Sequence, residues 1–271
     1  MQKTIHINGR DVFVWEFGEA SARPLVFLHG YAGDHQGLVD IAKQFPQFHV
    51  IVPDLPGFGR SQPLRGKHDI RNYVTFVRAL CQEYNVQDGL LFGHSLGGSI
   101  ALSFLETHPQ VFSKASLACP VLTSEHWMAT AAKWYYQVAE LLPRDWKKFM
   151  VDNKFLVYLT DSIVMTVQDK QKRKEILEQN YINYKQADAD ALSQAFFTFF
   201  EDDILSEPKN IRAKTQIIGA EDDIISPVGP LKQLHETIKG SDFVVIPKAG
   251  HLLPREYPEK VWPILQDFMN E

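Results

Sequence analysis

A serine flanked by glycines lies between an apolar, strand-like run and a helix-like run of small residues. The stretch reads LLFGHSLGGSIALSF and contains the pattern Gly-x-Ser-x-Gly from Gly93 to Gly97. The pattern predicts a very tight strand-to-helix turn, which strains the backbone at Ser95. The residues two positions before and after Ser95 must lack side chains so that the strand and the helix can approach each other. Such a turn projects the hydroxyl above the carboxyl edge of a parallel sheet, where ligands bind in open α/β sheets.

Short apolar runs before and after this turn have the character of strands that are buried on both faces. These runs are PLVFLHG, HVIVPD, GLLFGH and KASLAC. The segment IRNYVTFVRALCQEY between them has helical spacing, and strand, helix, strand at this spacing predicts βαβ units and a parallel sheet. At the N-terminus, TIHI and DVFVWEF are joined by Asn8-Gly9, which predicts a β-hairpin.

The alternation of strand-like and helix-like segments stops in the middle of the chain and then resumes. From about Val121 to Ile204 the periodicity is mostly helical and aromatic residues are frequent. After it come the strand-like segments KTQIIGA and DFVVIPKAGH, and the helix-like segments PLKQLHETI and YPEKVWPILQDFMNE. We therefore predict an α/β core formed by residues 1–120 and 205–271, with a helical cap inserted at 121–204.

Charge and composition limit the partners of the chain. The net charge of −5 argues against a nucleic-acid partner, and no apolar run approaches the roughly 20 residues of a membrane span. Cys81 and Cys119 make neither a disulfide framework nor a metal cluster, and no histidine has metal-ligand spacing. The N-terminus has neither the basic nor the apolar region of a signal peptide, so we expect a cytoplasmic, soluble protein without a metal.

A serine hydroxyl becomes an effective nucleophile only beside a base, and that base needs an acid to orient it. For this type of turn the expected order along the chain is Ser, then Asp or Glu, then His. The chain contains adjacent acids, Asp222 and Asp223, where the strand-like run QIIGA ends, and His251 where VVIP ends. Ser95, one of these acids and His251 are therefore the candidate catalytic residues.

Together these motifs resemble the α/β-hydrolase superfamily over nearly the whole chain. The features that carry the resemblance are HGYAG, DLPGFGRS, GHSLGG, GAEDD and GHLLPREYP, in this order and spacing. The resemblance implies an α/β-hydrolase fold, with a mostly parallel twisted sheet flanked by helices, and no cofactor. It further implies Ser95 as the nucleophile, His251 as general base and then general acid, and an aspartate that holds the imidazole.

Two spacing rules of the family select different aspartates. Counting three residues from Gly219 selects Asp222, whereas counting four back from Pro227 selects Asp223. We prefer Asp222, because the turn after the strand should fix geometry more tightly than a distant proline. Asp223 is the alternative.

An oxyanion requires two hydrogen-bond donors. One expected donor is the backbone N–H of Leu96, the residue after the nucleophile. By resemblance, the other is the backbone N–H of Tyr31, in the loop after the first core strand. His29 and His94 are interpreted as histidines that brace loops.

These residues predict acyl transfer to water on a small-molecule substrate, by a carboxylesterase-like hydrolase. The aromatic cap, expected as a lid over Ser95, favours small to medium apolar acyl or aromatic esters. Alternatives on the same triad are a thioesterase, a lactonase or a carbon–carbon bond hydrolase, the last disfavoured because Leu252 stands where those relatives usually carry Trp. A receptor-like binding protein is the alternative from another class. The sequence leaves both a monomer and a homodimer open.

Overall fold

The computed structural model of the chain describes residues 1–122, 127–201 and 208–271, with backbone alone at 127–132, 198–201 and 209. Within these residues, one sheet is formed by β1 (Gln2–Ile7), β2 (Arg10–Phe17), β3 (Pro24–Leu28), β4 (His49–Pro53), β5 (Gly89–His94), β6 (Phe112–Ala118), β7 (Lys214–Ala220) and β8 (Asp242–Ile246). The α-helices are α1 (Gln36–Ala42), α2 (Ile70–Glu83), α3 (Leu96–Thr107), α4 (Trp127–Glu140), α5 (Arg144–Val151), α6 (Lys154–Val164), α7 (Lys170–Gln186), α8 (Ala189–Glu201), α9 (Val228–Thr237), α10 (Leu253–Glu256) and α11 (Pro258–Asn270).

The sheet is mostly parallel, as the alternation of strands and helices predicts. Its spatial order is β1-β2-β4-β3-β5-β6-β7-β8. β2 runs antiparallel to β1 and to β4, and the remaining pairs are parallel. The predicted hairpin joins β1 to β2, and both Asn8 (φ 52°) and Gly9 (φ 71°) have the positive φ of a type I′ turn. In this strand order β3 and β5 lie at the centre of the sheet. Because they are parallel, their carboxyl ends lie at the same edge.

The central strands are buried on both faces of the sheet. Alternate residues of a strand point to opposite faces. In β3, Leu25 and Phe27 pack in one apolar cluster with α1 and α11, whereas Val26 and Leu28 pack in the other with α2 and α3. All six residues of β5 are buried. This burial explains why these strands read as continuous apolar runs, and it gives β5 a rigid place directly before Ser95.

Between β6 and β7 the described residues are largely helical and form α4 to α8. Within this region α4 packs on α5 and α8, and α6 packs on α7. The division into core and cap at 121–204 stays a prediction, and its boundary at residue 204 lies outside the described residues. None of the helices in the described ranges combines the length and the apolar character that crossing a bilayer requires.

Candidate active site

The turn that carries Ser95 has the strained geometry that its glycines predict. β5 ends at His94 and α3 begins at Leu96, and Ser95 between them has φ 53° and ψ −120°. A Cβ on Gly93 would lie 2.4 Å from the carbonyl oxygen of Gly97, and one on Gly97 would lie 2.2 Å from that of Leu28. Any side chain at either position would push strand and helix apart. The glycines thus permit the approach that places the serine hydroxyl at the sheet edge, within reach of His251.

Ser95, His251 and Asp223 form a continuous hydrogen-bonded line. The Ser95 hydroxyl and Nε2 of His251 are 2.8 Å apart. On the other side of the ring, Nδ1 of His251 and Oδ2 of Asp223 are also 2.8 Å apart. In the neutral tautomer that fits both bonds, Nδ1–H donates to the carboxylate and Nε2 accepts from the hydroxyl. All three residues are buried.

The acid beside His251 is Asp223, so our preference for Asp222 is corrected. β7 ends at Ala220, one residue beyond the Gly219 from which we counted, and three residues beyond Ala220 is Asp223. Asp222 is exposed, and its backbone N–H donates to the carbonyl of Ala249 at 2.9 Å. The length of β7 therefore decides which of the two acids points inward.

The carboxylate of Asp223 is held by several donors. Besides His251, the backbone N–H groups of Ile225 and Ser226 donate to Oδ1 at 2.8 and 2.9 Å. Burial by itself raises the pKa of Asp223. The charge and hydrogen bond of His251 and the two backbone donors outweigh burial and lower that pKa below its ordinary value. Asp223 is thus ionised at neutral pH and can stabilise an imidazolium at His251.

His94 and His29 brace the loops around the serine. Nε2 of His94 donates to the carbonyl oxygen of His251 at 2.8 Å, which fixes the loop of that residue. Burial, followed by repulsion from His251, lowers the pKa of His94 to about 3, so it is neutral. Nε2 of His29 accepts the backbone N–H of Leu55 at 2.8 Å, and its Nδ1 donates to the carbonyl of Gly30 at the same distance. Both histidines therefore act as structural supports.

The loop after β3 lies against the serine turn. A Cβ on Gly30 would come within 3.1 Å of both the Ser95 Cβ and Nδ1 of His94. Tyr31 follows Gly30 in this loop, and Leu96 follows Ser95 at the first position of α3. That the backbone N–H groups of Tyr31 and Leu96 donate to an oxyanion remains our proposal.

Aromatic residues of helices α4 to α8 differ in their burial. Tyr136 and Phe197 are buried and Tyr184 and Phe196 are partly buried. The Tyr31 hydroxyl lies 2.9 Å from that of Tyr136, and the Tyr31 ring packs edge-on against Tyr184 and Phe196. Among the described residues of these helices, the exposed large aromatic side chains are Trp134, Trp146, Phe149 and Phe155. Contacts with Tyr31, in the loop after β3, are made by Tyr136, Tyr184 and Phe196.

Two features near His251 were not found from the sequence. Glu256 accepts the backbone N–H groups of Thr166 and Val167, between α6 and α7, at 2.7 and 2.5 Å. The sulfur of Cys119 lies within 4.8 Å of a carboxylate oxygen of Asp223. No local motif marks either contact, because each joins distant segments of the chain.

Cys119, Asp223 and His251 also present one potential metal-ligand atom each within 4.8 Å of one another. The donors and acceptors of His251 and Asp223 are already used within the protein. His251 Nδ1 and Asp223 Oδ2 bind each other, and the second carboxylate oxygen receives two N–H groups. The arrangement fits proton transfer from a serine better than metal coordination.

Comparisons with known proteins agree with the fold. The family model described as "alpha/beta hydrolase fold" matches residues 23–256. A relative, the uncharacterized hydrolase YugF of Bacillus subtilis (strain 168), is 23% identical, with 97% of this chain and 96% of that protein covered. Two solved structures are similar to the whole chain. A thermophilic esterase from Thermogutta terrifontis gives a TM-score of 0.83 at 22% identity, covering 100% of this chain and 98% of that one.

The second structure is the enol-lactonase from Burkholderia xenovorans LB400. It gives a TM-score of 0.86 at 16% identity and covers 99% of this chain and 100% of that one. At these identities the two structures show a shared fold rather than a shared substrate. With the family model matching from residue 23 to 256 and the nucleophile turn formed as its sequence predicts, this chain belongs to the α/β-hydrolase family.

Proposed function

We propose that this protein is a serine hydrolase that cleaves carboxylic esters through an acyl-enzyme, with a preference for small to medium apolar acyl or aromatic groups. The observation that carries the proposal is the hydrogen-bonded line from Ser95 through His251 to Asp223, in which each link measures 2.8 Å. A structural scaffold needs no such line, and neither does a receptor-like protein that only binds a ligand. The line matches what nucleophilic catalysis by serine requires.

In the proposed first step, the Ser95 oxygen attacks the ester carbonyl carbon while its proton moves to Nε2 of His251. The imidazolium that results is stabilised by Asp223, whose pKa is held below its ordinary value by His251 and by backbone donors despite burial. The backbone N–H groups of Tyr31 and Leu96 donate to the oxyanion that forms on the carbonyl oxygen. This step leaves a tetrahedral intermediate bound to Ser95.

The intermediate then collapses, and the bond to the alcohol oxygen breaks as His251 returns its proton to that oxygen. The alcohol leaves and the acyl group stays on Ser95. A water molecule next gives a proton to His251 and attacks the acyl carbon, and the second intermediate releases the carboxylic acid as the proton returns to the serine oxygen. Each cycle consumes one ester and one water and restores the enzyme.

The groups around the serine favour one substrate class. The buried and partly buried rings near Tyr31 suit an apolar acyl or aromatic group, whereas the phenol hydroxyls can orient a polar atom. The similarity to an esterase and to an enol-lactonase supports the same reaction class, since an enol-lactone is a cyclic ester. Hydrolysis of thioesters or of carbon–carbon bonds would use the same triad, but no contact within the described residues favours either reaction.

Hydrolysis of a series of p-nitrophenyl esters, from acetate to laurate, tests the proposal. We expect turnover by the native protein with a maximum at one acyl length, because the cap limits the space for the acyl group. Ser95→Ala should lower kcat by roughly 10⁶-fold, since loss of the nucleophile leaves only oxyanion and binding effects. A matched control is Ser103→Ala, two turns further along α3, which should retain native turnover.

Three outcomes are informative. Equal inertness of the native protein and Ser95→Ala would reject ester hydrolysis. Equal, substantial turnover by both would show that another group is the nucleophile. Turnover that is lost only in Ser95→Ala but does not change with acyl length would keep the esterase and reject the apolar pocket.

A further inference from the structure

The large apolar side chains that the protein leaves exposed are concentrated in one part of the chain. Of the twelve such side chains among the described residues, nine lie between Trp134 and Ile182. The five most exposed of these nine are between 66% and 85% exposed, and they are Trp134, Leu141, Trp146, Phe149 and Phe155. A single exposed apolar residue needs no explanation, but several large ones in one region mark an interaction surface.

We propose that these five residues, the α4–α6 surface, dock the protein on an anionic lipid bilayer. Only three residues join α4 to α5, and only two join α5 to α6. Leu141, in the first connection, is therefore only 14 positions before Phe155, at the start of α6, and two of the other exposed rings belong to α5 between them. The surface is thus formed by one short stretch of consecutive helices.

Each of these helices turns apolar residues toward the solvent. In α5, Trp146 and Phe149 share one face because they are three positions apart, whereas Val151 on another face is buried. In α6, exposed apolar residues recur at every fourth position after Phe155, and Val157 on another face is buried. A surface helix usually turns its polar face outward, so this arrangement indicates an apolar partner.

The charge of this region is opposite to that of the remaining chain. Residues 133–186, from α4 to the end of α7, contain ten lysines and arginines and seven acids, which is a net charge of +3. The whole chain carries −5, which leaves −8 for the other residues. A bilayer with anionic lipids attracts basic residues and repels acidic ones, so its field orients this region toward the bilayer.

Exposed basic side chains accompany the aromatic ones. Arg144 is exposed at the start of α5, and Lys154 is exposed at the start of α6. Arg144 also pairs with Asp188 at 2.5 Å, and Asp145 is an exposed acid next to it, whereas no ion pair involves Lys154 among the described residues. Long basic side chains reach lipid headgroups while neighbouring tryptophan and phenylalanine rings enter the acyl boundary.

A second copy of the chain fits this surface less well than a bilayer does. The commonest dimers have two-fold symmetry, so that each subunit contributes the same patch. A dimer of this kind would bring two regions of net charge +3 together. An anionic bilayer instead combines the opposite charge with an apolar interior, and this complementarity decides between the two partners.

Co-sedimentation with vesicles tests the proposal. We expect the native protein to bind vesicles of phosphatidylcholine and phosphatidylglycerol in equal parts about tenfold or more tightly than vesicles of phosphatidylcholine alone. Binding should weaken as salt rises from about 0.1 M to about 1 M, because the Debye length falls from about 10 Å to about 3 Å. The proposal is overturned if the protein does not bind the anionic vesicles, or if it binds both kinds equally.

Variants at exposed positions locate the contact. Replacing Trp146 and Phe149 together by Ala should weaken binding about tenfold or more, because two rings no longer enter the acyl boundary. Lys154→Gln should weaken binding to anionic vesicles about fivefold and leave binding to neutral ones unchanged. Phe17→Ala, at an exposed aromatic residue of β2, is the matched control and should bind as the native protein does. Equal losses in Phe17→Ala and in the double variant would contradict a role for this surface.

Fluorescence shows whether tryptophans of the surface enter the bilayer. Lipids brominated on their acyl chains quench a tryptophan that lies among those chains. A variant with Trp134→Phe and Trp146→Phe keeps apolar rings, so it should bind nearly as the native protein does while its fluorescence is quenched less. Quenching that is as strong as in the native protein would show that other tryptophans make the contact and would reject the α4–α6 surface.

Two further measurements separate this inference from its alternatives. Sedimentation velocity without lipid detects self-association. A native dimer that dissociates when Trp146 and Phe149 are replaced, together with no vesicle binding, would assign the surface to a second copy and reject the proposal. Ser95→Ala should bind vesicles as the native protein does, because docking does not depend on the proposed reaction. Inertness toward esters would therefore reject the proposed function and leave this inference standing.

Discussion

Ser95 combines a strained backbone with fixed neighbours. Its φ of 53° and ψ of −120° lie outside the usual regions, and such a residue costs about 1–3 kcal/mol. The N–H of Ser95 is tied to Ala118 at 3.0 Å, and its carbonyl accepts the N–H of Ser99 at 3.0 Å. Gly93 and Gly97 remove the steric conflicts that would otherwise relax the turn. These neighbours hold the strained turn in place and keep the Ser95 hydroxyl within hydrogen-bond distance of His251.

Replacement of each adjacent acid gives a sharp contrast at the scale of a single residue. We expect Asp223→Asn to lower kcat by about 10⁴-fold, because an amide neither stabilises the imidazolium nor holds the right tautomer. Asp222→Asn is the matched control, and its kcat should stay within about twofold of native because this side chain is exposed. Steady-state kinetics on one activated ester measure both. A larger loss in Asp222→Asn would reassign the acid.

The adjacent acids also show how far the sequence can define the site. Ser95 and His251 could be located because each lies in a local motif after a strand. The acid was missed by one residue because β7 extends through its pairing with β8, where Ala220 lies opposite Ile246. Cys119 carries no local signal, since its place within 4.8 Å of Asp223 depends on the neighbouring strands β6 and β7. Tertiary contacts thus supply what local motifs cannot.

At the scale of elements, the strands that are buried along their whole length are those that the sequence predicts most clearly. Strands such as β4 and β5 were recognised because every residue in them is buried and apolar runs result. The short helix α1 was not predicted. It has seven residues and no side-chain cap at its N-terminus, and it is held by packing against α10 and α11. A strong local pattern therefore allows an element to be predicted from the sequence, whereas the formation of α1 depends on packing against other helices.

Helices α6 and α7 share a buried acid that links the stability of the protein to pH. Asp161 accepts a hydrogen bond from Asn180 at 2.7 Å, and Asn180 in turn accepts one from Arg255. Burial raises the pKa of Asp161 to about 6, although Asn180 and Arg255 act to lower it. A folded pKa above the unfolded value of 3.8 means that ionisation opposes folding, so this group reduces stability as pH rises from about 4 to 6.

Asp161→Asn should remove this pH dependence. We expect the free energy of unfolding of the variant, relative to native, to rise by up to about 3 kcal/mol between pH 4 and pH 7, because two pKa units correspond to about that energy. Urea unfolding at pH 4.5, 5.5 and 7 measures the difference. Asp145→Asn, at an exposed position on α5, is the control. A constant difference across these pH values would contradict the burial argument.

At the scale of the whole molecule, the helical region between β6 and β7 is fastened to both loops that flank the nucleophile. On one side, the Tyr31 hydroxyl donates to the carbonyl of Leu192 in α8 at 2.6 Å. On the other, a Cβ on Gly250 would lie 2.5 Å from the carbonyl oxygen of Val164 at the end of α6. Movement of these helices is therefore mechanically connected to the loop of His251 and to the loop of the proposed oxyanion donor.

Glu256 makes a further connection to this helical region. Its side chain is fully buried, and Oε2 accepts the backbone N–H groups of Thr166 and Val167 at 2.7 and 2.5 Å, while Oε1 has no hydrogen-bond partner among the described residues. Glu256→Gln replaces charge-assisted bonds by neutral ones and leaves a buried amide donor unsatisfied. We therefore expect a loss of about 1–3 kcal/mol in the free energy of unfolding.

Hydrogen exchange locates the effect of Glu256→Gln. The amides of Thr166 and Val167 should exchange faster in the variant by roughly tenfold or more, since 1.4 kcal/mol corresponds to a factor of ten. The amides of β5 should keep their native rates under the same conditions, because local opening between α6 and α7 does not require the sheet to open. Glu259→Gln, at an exposed position on α11, should change neither set. If Thr166 and Val167 keep their native exchange rates in Glu256→Gln, the contacts at Gly250 and Tyr31 hold these helices without Glu256.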